Sequence, residues 1–270
     1  MLRQRGGVFL PVIIALCCDC KWHECEATES RPTFTKVQVL RSKPVGNNAH
    51  LVRCRVAARD SHGVGSFYLL KATSLNVDDH YPMGKTMCKR YYPLQSPSTD
   101  THVDFIVKNH QWPGGDMSRF LGNLQNGQAI EISGPTNRDD VEELLENETM
   151  VGLICGGSGA IVGLQTLRYL EEQIRNNEVQ VHLIISDKSQ EDIIYDKEFR
   201  KFSHEYPNNV FIHRTLTRDA PKGWNQQVGR ISKEMIGEHV PEECGVVFVS
   251  GPGDFVEHMH SLIDKPLFIL

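Results

Sequence analysis

The stretch Val151–Leu170, VGLICGGSGAIVGLQTLRYL, places Gly156, Gly157, Ser158 and Gly159 between an apolar run and a helical one. Backbone bared of side chains at such a junction lets a phosphate approach. The helix start supplies unpaired N–H groups and a partial positive charge. The Ser158 hydroxyl offers one more donor. The spacing is not G-x-G-x-x-G, so a tight turn that binds nothing is the competing account. A second glycine turn, Ser250-Gly251-Pro252-Gly253, follows the apolar run Val246–Val249. If the two strands are neighbours, both turns lie at the carboxyl edge of one sheet, where doubly wound folds bind ligands.

Two upstream segments carry related chemistry. In KRYYPLQSP, Lys89 and Arg90 stand beside Tyr91 and Tyr92. The rings suit stacking on a planar heterocycle, and the cations suit a diphosphate. The bland alternative is surface cations on a strand with half-buried tyrosines. In PGGDMSRF, Gly114 and Gly115 lead into Asp116, Met117 and Ser118 at a helix start, which suits a phosphate or is simply a helix entry.

These segments need two scaffolds. FTKVQVLRS, HLVRCRVAAR, GSFYLLKAT, HVDFIVKNH and QAIEISGP show alternation or β-branched enrichment between turn signals. They predict a small antiparallel barrel or sandwich, interrupted by one helix, MSRFLGNL, with Asp116 as its cap. Residues 136–147, polar and acidic, read as a linker or surface turn. After Thr149 strands and helices alternate: MVGLIC, IVGLQTLRYLEEQIRN, VQVHLIIS, DIIYDKEFRKFSHEY, NVFIHRTL, SKEMIGEHV, CGVVFVSGP, DFVEHMHSLI and a closing PLFIL. That order predicts a doubly wound parallel sheet. The expected division is a β-domain over residues 31–138 and an α/β domain over 148–270, with residues 1–30 set apart.

Composition narrows the partners. The chain has 270 residues, 40% of them hydrophobic, and a net charge of −5 with no Lys/Arg block. Nucleic acid is therefore not an expected partner. Cys54, Cys88, Cys155 and Cys244 fall singly in strand-like segments and read as small apolar residues of a protein in a reducing compartment. The sequon at Asn147 matters only in a secretory setting. Cys17, Cys18, Cys20 and Cys25 crowd the N-terminus with His23 but lack paired C-x-x-C spacing, which disfavours a metal site. Residues 8–18 form an apolar run, short of the ~20 residues a membrane span requires. It suits a signal core or a hydrophobic anchor, retained or removed, with nearby cysteines open to acylation.

In this order the elements resemble the ferredoxin–NADP reductase superfamily, and within it the NADH–cytochrome b5 reductases. VDFIVK, PGGDMSRFL, GQAIEISGP, VGLICGGSG, EDIIYDKEF and RTLTRDAPKGWN followed by EMI carry the likeness, over about residues 33–270. The resemblance implies FAD in the first domain and NADH in the second. Hydride would pass to the flavin, and single electrons to a haem protein such as cytochrome b5. It implies that Lys89, Arg90, Tyr91, Tyr92 and Pro93 contact the flavin and its phosphate chain. Ile106 and Lys108 would line the ring by main chain. Gly115, Asp116, Met117 and Ser118 would hold the pyrophosphate. Gly157, Ser158 and Gly159, with Gly251 and Pro252, would approach the nicotinamide dinucleotide. Asp192 would bond a ribose hydroxyl and repel a 2′-phosphate. Tyr92 and Ser250 would stand nearest the reacting rings. A monomer is implied, associated with the endoplasmic reticulum or mitochondrial membrane, its body in a reducing compartment.

The chain departs from the pattern in places. One register puts Lys89 where an arginine pairs the flavin phosphate, losing the bidentate fork, and Tyr92 where a Ser or Thr meets the flavin. The other uses Arg90 and Tyr92 and leaves Pro93 in the Ser/Thr place. Residues 109–113, NHQWP, make a short loop in which Trp112 is the stacking candidate, and FMN is an alternative to FAD. Val162 replaces a proline, Ser250 a cysteine, and the chain ends without an aromatic residue. A reductase-like fold that has lost its flavin or its turnover, serving as a nucleotide-binding or partner-binding module, is the alternative function.

Overall fold

The computed structural model describes residues 32–45, 48–57, 63–73, 86–94, 101–108, 116–263 and 267–269. Gly115, Trp112, Leu270 and the apolar run 8–18 lie outside them.

Seven antiparallel strands make the first sheet: β1 (Thr35–Pro44), β2 (Ala49–Arg55), β3 (Phe67–Thr73), β4 (Thr86–Tyr91), β5 (Pro93–Leu94), β6 (His102–Lys108) and β7 (Ala129–Thr136), in the order β4-β3-β7-β1-β2-β6-β5. The sheet closes on one apolar cluster, whose members include Val39, Val52, Tyr68, Phe105 and Ile132. Helix α1 (Asp116–Gly122) inserts Met117 and Leu121 into it. Strand period explains the run VDFIV in β6. Val103, Phe105 and Val107 point into this core, whereas Ile106 joins a second cluster shared with the α/β half. A strand buried on both faces is continuously apolar, and here the second face is the one turned to the other domain.

The second sheet is parallel: β8 (Met150–Gly156), β9 (Gln180–Ser189), β10 (Val210–Asp219), β11 (Gln227–Val228), β12 (Val247–Ser250) and β13 (Leu267–Ile269), in the order β11-β10-β9-β8-β12-β13. The helices are α2 (Asp139–Glu146), α3 (Ala160–Tyr169), α4 (Glu171–Arg175), α5 (Asp196–Glu205), α6 (Lys233–His239) and α7 (Gly253–Leu262). The predicted class, an antiparallel β-domain followed by a doubly wound α/β domain, is therefore observed.

The linker reading of 136–147 is overturned. Residues 139–146 form α2, whose Val141 and Leu145, one turn apart, are buried in the shared core. Its acidic first turn suits a helix N-terminus. The acidic residues masked an i, i+4 apolar pair. The long helix expected after the glycine turn divides into α3 and α4 at Leu170. The helix expected from Asp192 begins at Asp196, after Tyr195 in the left-handed region (φ 54°). Strands β5 and β11 were not among the expected ones, and β4 was expected only in the bland account of KRYY as cations on a strand.

Away from the glycine turns, His213 of β10 and His239 of α6 stack with ring centroids 3.6 Å apart, and His182 of β9 stacks on Phe211. Burial holds His182 and His213 below the ordinary imidazole range, and His239 further opposes a charge on His213; Glu243 and Glu238 pull weakly the other way. Depressed folded values mean that unfolding takes up protons once the pH falls past the ordinary value of 6.5. The stability present above that pH should drain away below it. Melting temperature followed downward from neutral pH should fall, and His213→Phe, which keeps the stack, should flatten the slope. An equal slope in the variant would contradict this origin.

Candidate functional site

The order in which strands are added reverses between β8 and β12: β9 and β10 lie on one side of β8, β12 and β13 on the other. Both glycine turns emerge at that switch point, with Ser250 paired to Cys155. They also touch. A Cβ on Gly159 would collide with the Ser250 carbonyl oxygen, and would lie 2.5 Å from its carbonyl carbon and 2.9 Å from the Gly251 nitrogen. Gly157 adopts φ 56°, a left-handed conformation that glycine enters without strain. Ser158 and Pro252 are exposed at the rim, while Gly159, Ser250 and Gly251 are buried. Burial pushes the thiol of neighbouring Cys155 up to about 12, so it offers no thiolate. Cys54, Cys88, Cys155 and Cys244 form no disulfide among the described residues.

On the β-domain side, geometry separates the two registers. Tyr91 sets its ring edge-on to Phe105, 6.4 Å between centroids, and packs on the barrel core. Arg90 and Tyr92 turn to the other face. The Arg90 guanidinium lies over Phe67 at 4.7 Å, and Tyr92 meets the same ring edge-on at 6.2 Å. Tyr92 also packs on the cluster that contains Ile106, Leu94 and helix α3. Lys89 is exposed. Arg90 Nη1 is buried and makes no hydrogen bond among the described residues. A buried guanidinium nitrogen without an acceptor is costly unless an anion completes it. This is the observation by which the site fits a phosphate-bearing flavin. Arg138, held by a two-point pairing with Asp140 at 2.8 Å, places a further cation near Tyr92. At the start of α1, Met117 and Ser118 are buried, and Asp116 lies 3.6 Å from Arg119.

The halves are stitched by residues the sequence did not announce. Gln165 of α3, 2% exposed, accepts a hydrogen bond from the Gly65 N–H at 3.3 Å and donates one to the Pro93 carbonyl at 2.6 Å. A glutamine inside an apolar helix face was the available signal. Replacing it by leucine should cost about 2–4 kcal/mol, because both buried backbone groups lose their partner. Urea unfolding checks this, and a loss under about 0.5 kcal/mol would mean that water replaces the amide.

Lys108, at the end of β6, reaches across to the second domain. Its ammonium donates to Asp187 at 3.0 Å, lies 3.9 Å from Asp192, and stands 3.6 Å from where a Cβ of Gly157 would be. Asp192 also accepts from Ser189 Oγ at 3.0 Å and from Asn48 Nδ2 at 3.5 Å. Thus Ile106, Lys108, Tyr92, Pro93, Gly157 and Asp192 meet along one interdomain seam. Asp187 belongs to it too, with Arg214 behind it in the second domain, and both were missed; a carboxylate closing the apolar strand HLIIS was the signal for the first. Among the described residues no helix is long and apolar enough to cross a membrane.

Comparison with known proteins agrees with this architecture. Residues 38–139 match the family model "Oxidoreductase FAD-binding domain", and residues 153–261 match "Oxidoreductase NAD-binding domain". NADH-cytochrome b5 reductase 2 of Mycosarcoma maydis is 28% identical over 200 residues, covering 72% of this chain and 54% of that protein. NADH-cytochrome b5 reductase 2 of Xenopus laevis is 28% identical over 197 residues, covering 64% of this chain and 66% of that protein. The chain thus spans about half to two thirds of these relatives. Among solved structures, the cytochrome b5 reductase domain of Ulva prolifera nitrate reductase superposes with a TM-score of 0.70 at 18% identity, covering 88% of this chain and 97% of that one. The CS-b5R domains of human Ncb5or in the NAD+ form give 0.73 at 19% identity, covering 89% and 70%. With both halves matched in order and in fold, the chain belongs to the ferredoxin–NADP reductase superfamily as a cytochrome b5 reductase-like member that joins an oxidoreductase FAD-binding domain to an NAD-binding one.

Proposed function

We propose that the protein is an NADH-dependent flavoprotein reductase that delivers electrons to a haem protein such as cytochrome b5. The observation that carries this reading is the meeting of two glycine turns at the sheet's switch point, where Lys108 of the β-domain reaches the Gly157 turn. When bound, FAD supplies two-electron acceptance from a nicotinamide and one-electron release. The chain's part is to bind and orient.

In this reading Arg90 pairs the flavin phosphate through its buried, unpaired Nη1, with Lys89 adding charge from the exposed side of β4. Tyr92 lies against the flavin ring. Tyr91 supports the strand from the core, and Pro93, Ile106 and Lys108 offer main-chain groups along it. Gly115, Asp116, Met117 and Ser118 hold the pyrophosphate. Gly157, Ser158 and Gly159 with Gly251 and Pro252 receive the nicotinamide dinucleotide, and Asp192 takes a ribose hydroxyl and disfavours a 2′-phosphate. Ser250 stands beside the nicotinamide, where its hydroxyl positions the ring.

The reading includes a monomer with domains over 31–138 and 148–270. It places the protein at an endoplasmic reticulum or mitochondrial membrane through residues 8–18, with its body in a reducing compartment. Relatives named for cytochrome b5 support the acceptor. Flavin-stripped full chain titrated with FAD and FMN, then assayed for NADH-driven reduction of cytochrome b5, tests it. FAD binding with cytochrome reduction is expected; binding of neither flavin would overturn it.

A further inference from the structure

A cluster of charged side chains lies where the seam between the domains meets the parallel sheet. Two buried cations, Lys108 and Arg214, meet three carboxylates, Asp187, Asp192 and Asp196. Asp187 is the centre. Its side chain is 2% exposed, with Lys108 at 3.0 Å on one side and Arg214 at 3.8 Å on the other. Arg214 lies over Phe199, 3.3 Å from Asp196, and its Nη2 makes no hydrogen bond among the described residues. Burial raises the Asp187 carboxyl, the nearby cations opposing it, and lowers the Arg214 guanidinium. Desolvation thus opposes the charge on both partners, and their mutual attraction works against it.

Lys108 is the cation nearest the Gly157 turn, and its charge is spent on Asp187. An anionic dinucleotide arriving at the turn competes with that carboxylate for the same ammonium. We propose that Asp187 is a positioning residue that holds Lys108 as a latch between the two domains and sets dinucleotide affinity by competing for it, with Arg214 keeping Asp187 paired when Lys108 is released. This rests on the reading that the glycine turns take a nicotinamide dinucleotide.

Calorimetric titration of the full chain with NAD+ tests it without turnover. Asp187→Asn frees the Lys108 ammonium for the incoming phosphates and should tighten binding about three- to tenfold. The gain should vanish in the Lys108→Met background, as a double-mutant cycle requires if Asp187 acts through Lys108. Asp187→Ser is the second charge-free variant. Unchanged or weaker binding in a cooperatively folded variant overturns the proposal, as does a gain that survives in Lys108→Met. Failure of both Asp187 variants to fold assigns the carboxylate to the fold and overturns it too. If the wild-type protein binds no NAD+, the failure lies in the dinucleotide reading instead.

Discussion

Gly159→Ala should abolish dinucleotide binding and destabilise the protein by about 3 kcal/mol, the upper part of the usual range for overpacking. The added methyl has nowhere to go. Its nearest neighbours are the carbonyl group of Ser250 and the nitrogen of Gly251, backbone atoms of a strand end clamped between β8 and β13. Side chains yield by changing rotamer, but a parallel strand cannot shift without breaking its ladder. Relief must come from moving the two turns apart, which destroys the surface they form together. Gly237→Ala is the contrasting substitution. Gly237 lies in α6 with open space where its Cβ would be, so alanine should be neutral or stabilising by up to about 1 kcal/mol. Thermal melts and NAD+ titration read both. Equal behaviour of the two variants would show that the turns do not touch.

Arg90→Leu should leave a protein that purifies without flavin, with affinity lower by about ten- to a hundredfold, whereas Lys89→Leu should lose threefold or less. Arg90 carries a buried nitrogen that has no acceptor among the described residues and shares its face with Tyr92; Lys89 is exposed. A hydrogen bond from a buried charge to phosphate is worth far more than a solvated one. The Arg90 variant keeps an apolar stem over Phe67, so its fold should persist. Fluorescence titration with FAD decides the matter. Loss concentrated at Lys89 would return the site to the register in which Lys89 takes the arginine place.

That register shows where sequence reading stops. KRYY has no apolar alternation, so nothing local says which tyrosine faces the core. The answer comes from pairing with β3 and from Phe105 of β6. The glycine turns were legible because a bared backbone between an apolar run and a helix has few other uses. Their mutual contact follows from β12 lying beside β8, which the alternation of strands and helices left open. Helix α2 was hidden because five acidic residues outweighed one apolar pair. Gln165, Asp187 and Arg214 were hidden for a different reason. Gln165 and Asp187 act across the domain interface and Arg214 acts on Asp187 from the neighbouring strand, and no periodicity within one segment records what lies on the other side. Lys108 was expected to serve through its main chain, yet its side chain crosses to the second domain.

The most direct test of the central claim is the visible absorption of the full-length protein, loaded with FAD and mixed anaerobically with one equivalent of NADH. A reductase built as described should show the flavin absorption bleach within the mixing experiment, and NADPH should do so far more slowly because Asp192 opposes a 2′-phosphate. A protein that takes up no flavin, or holds flavin that NADH leaves oxidised, would contradict the account and mark the fold as a nucleotide-binding or partner-binding module without turnover.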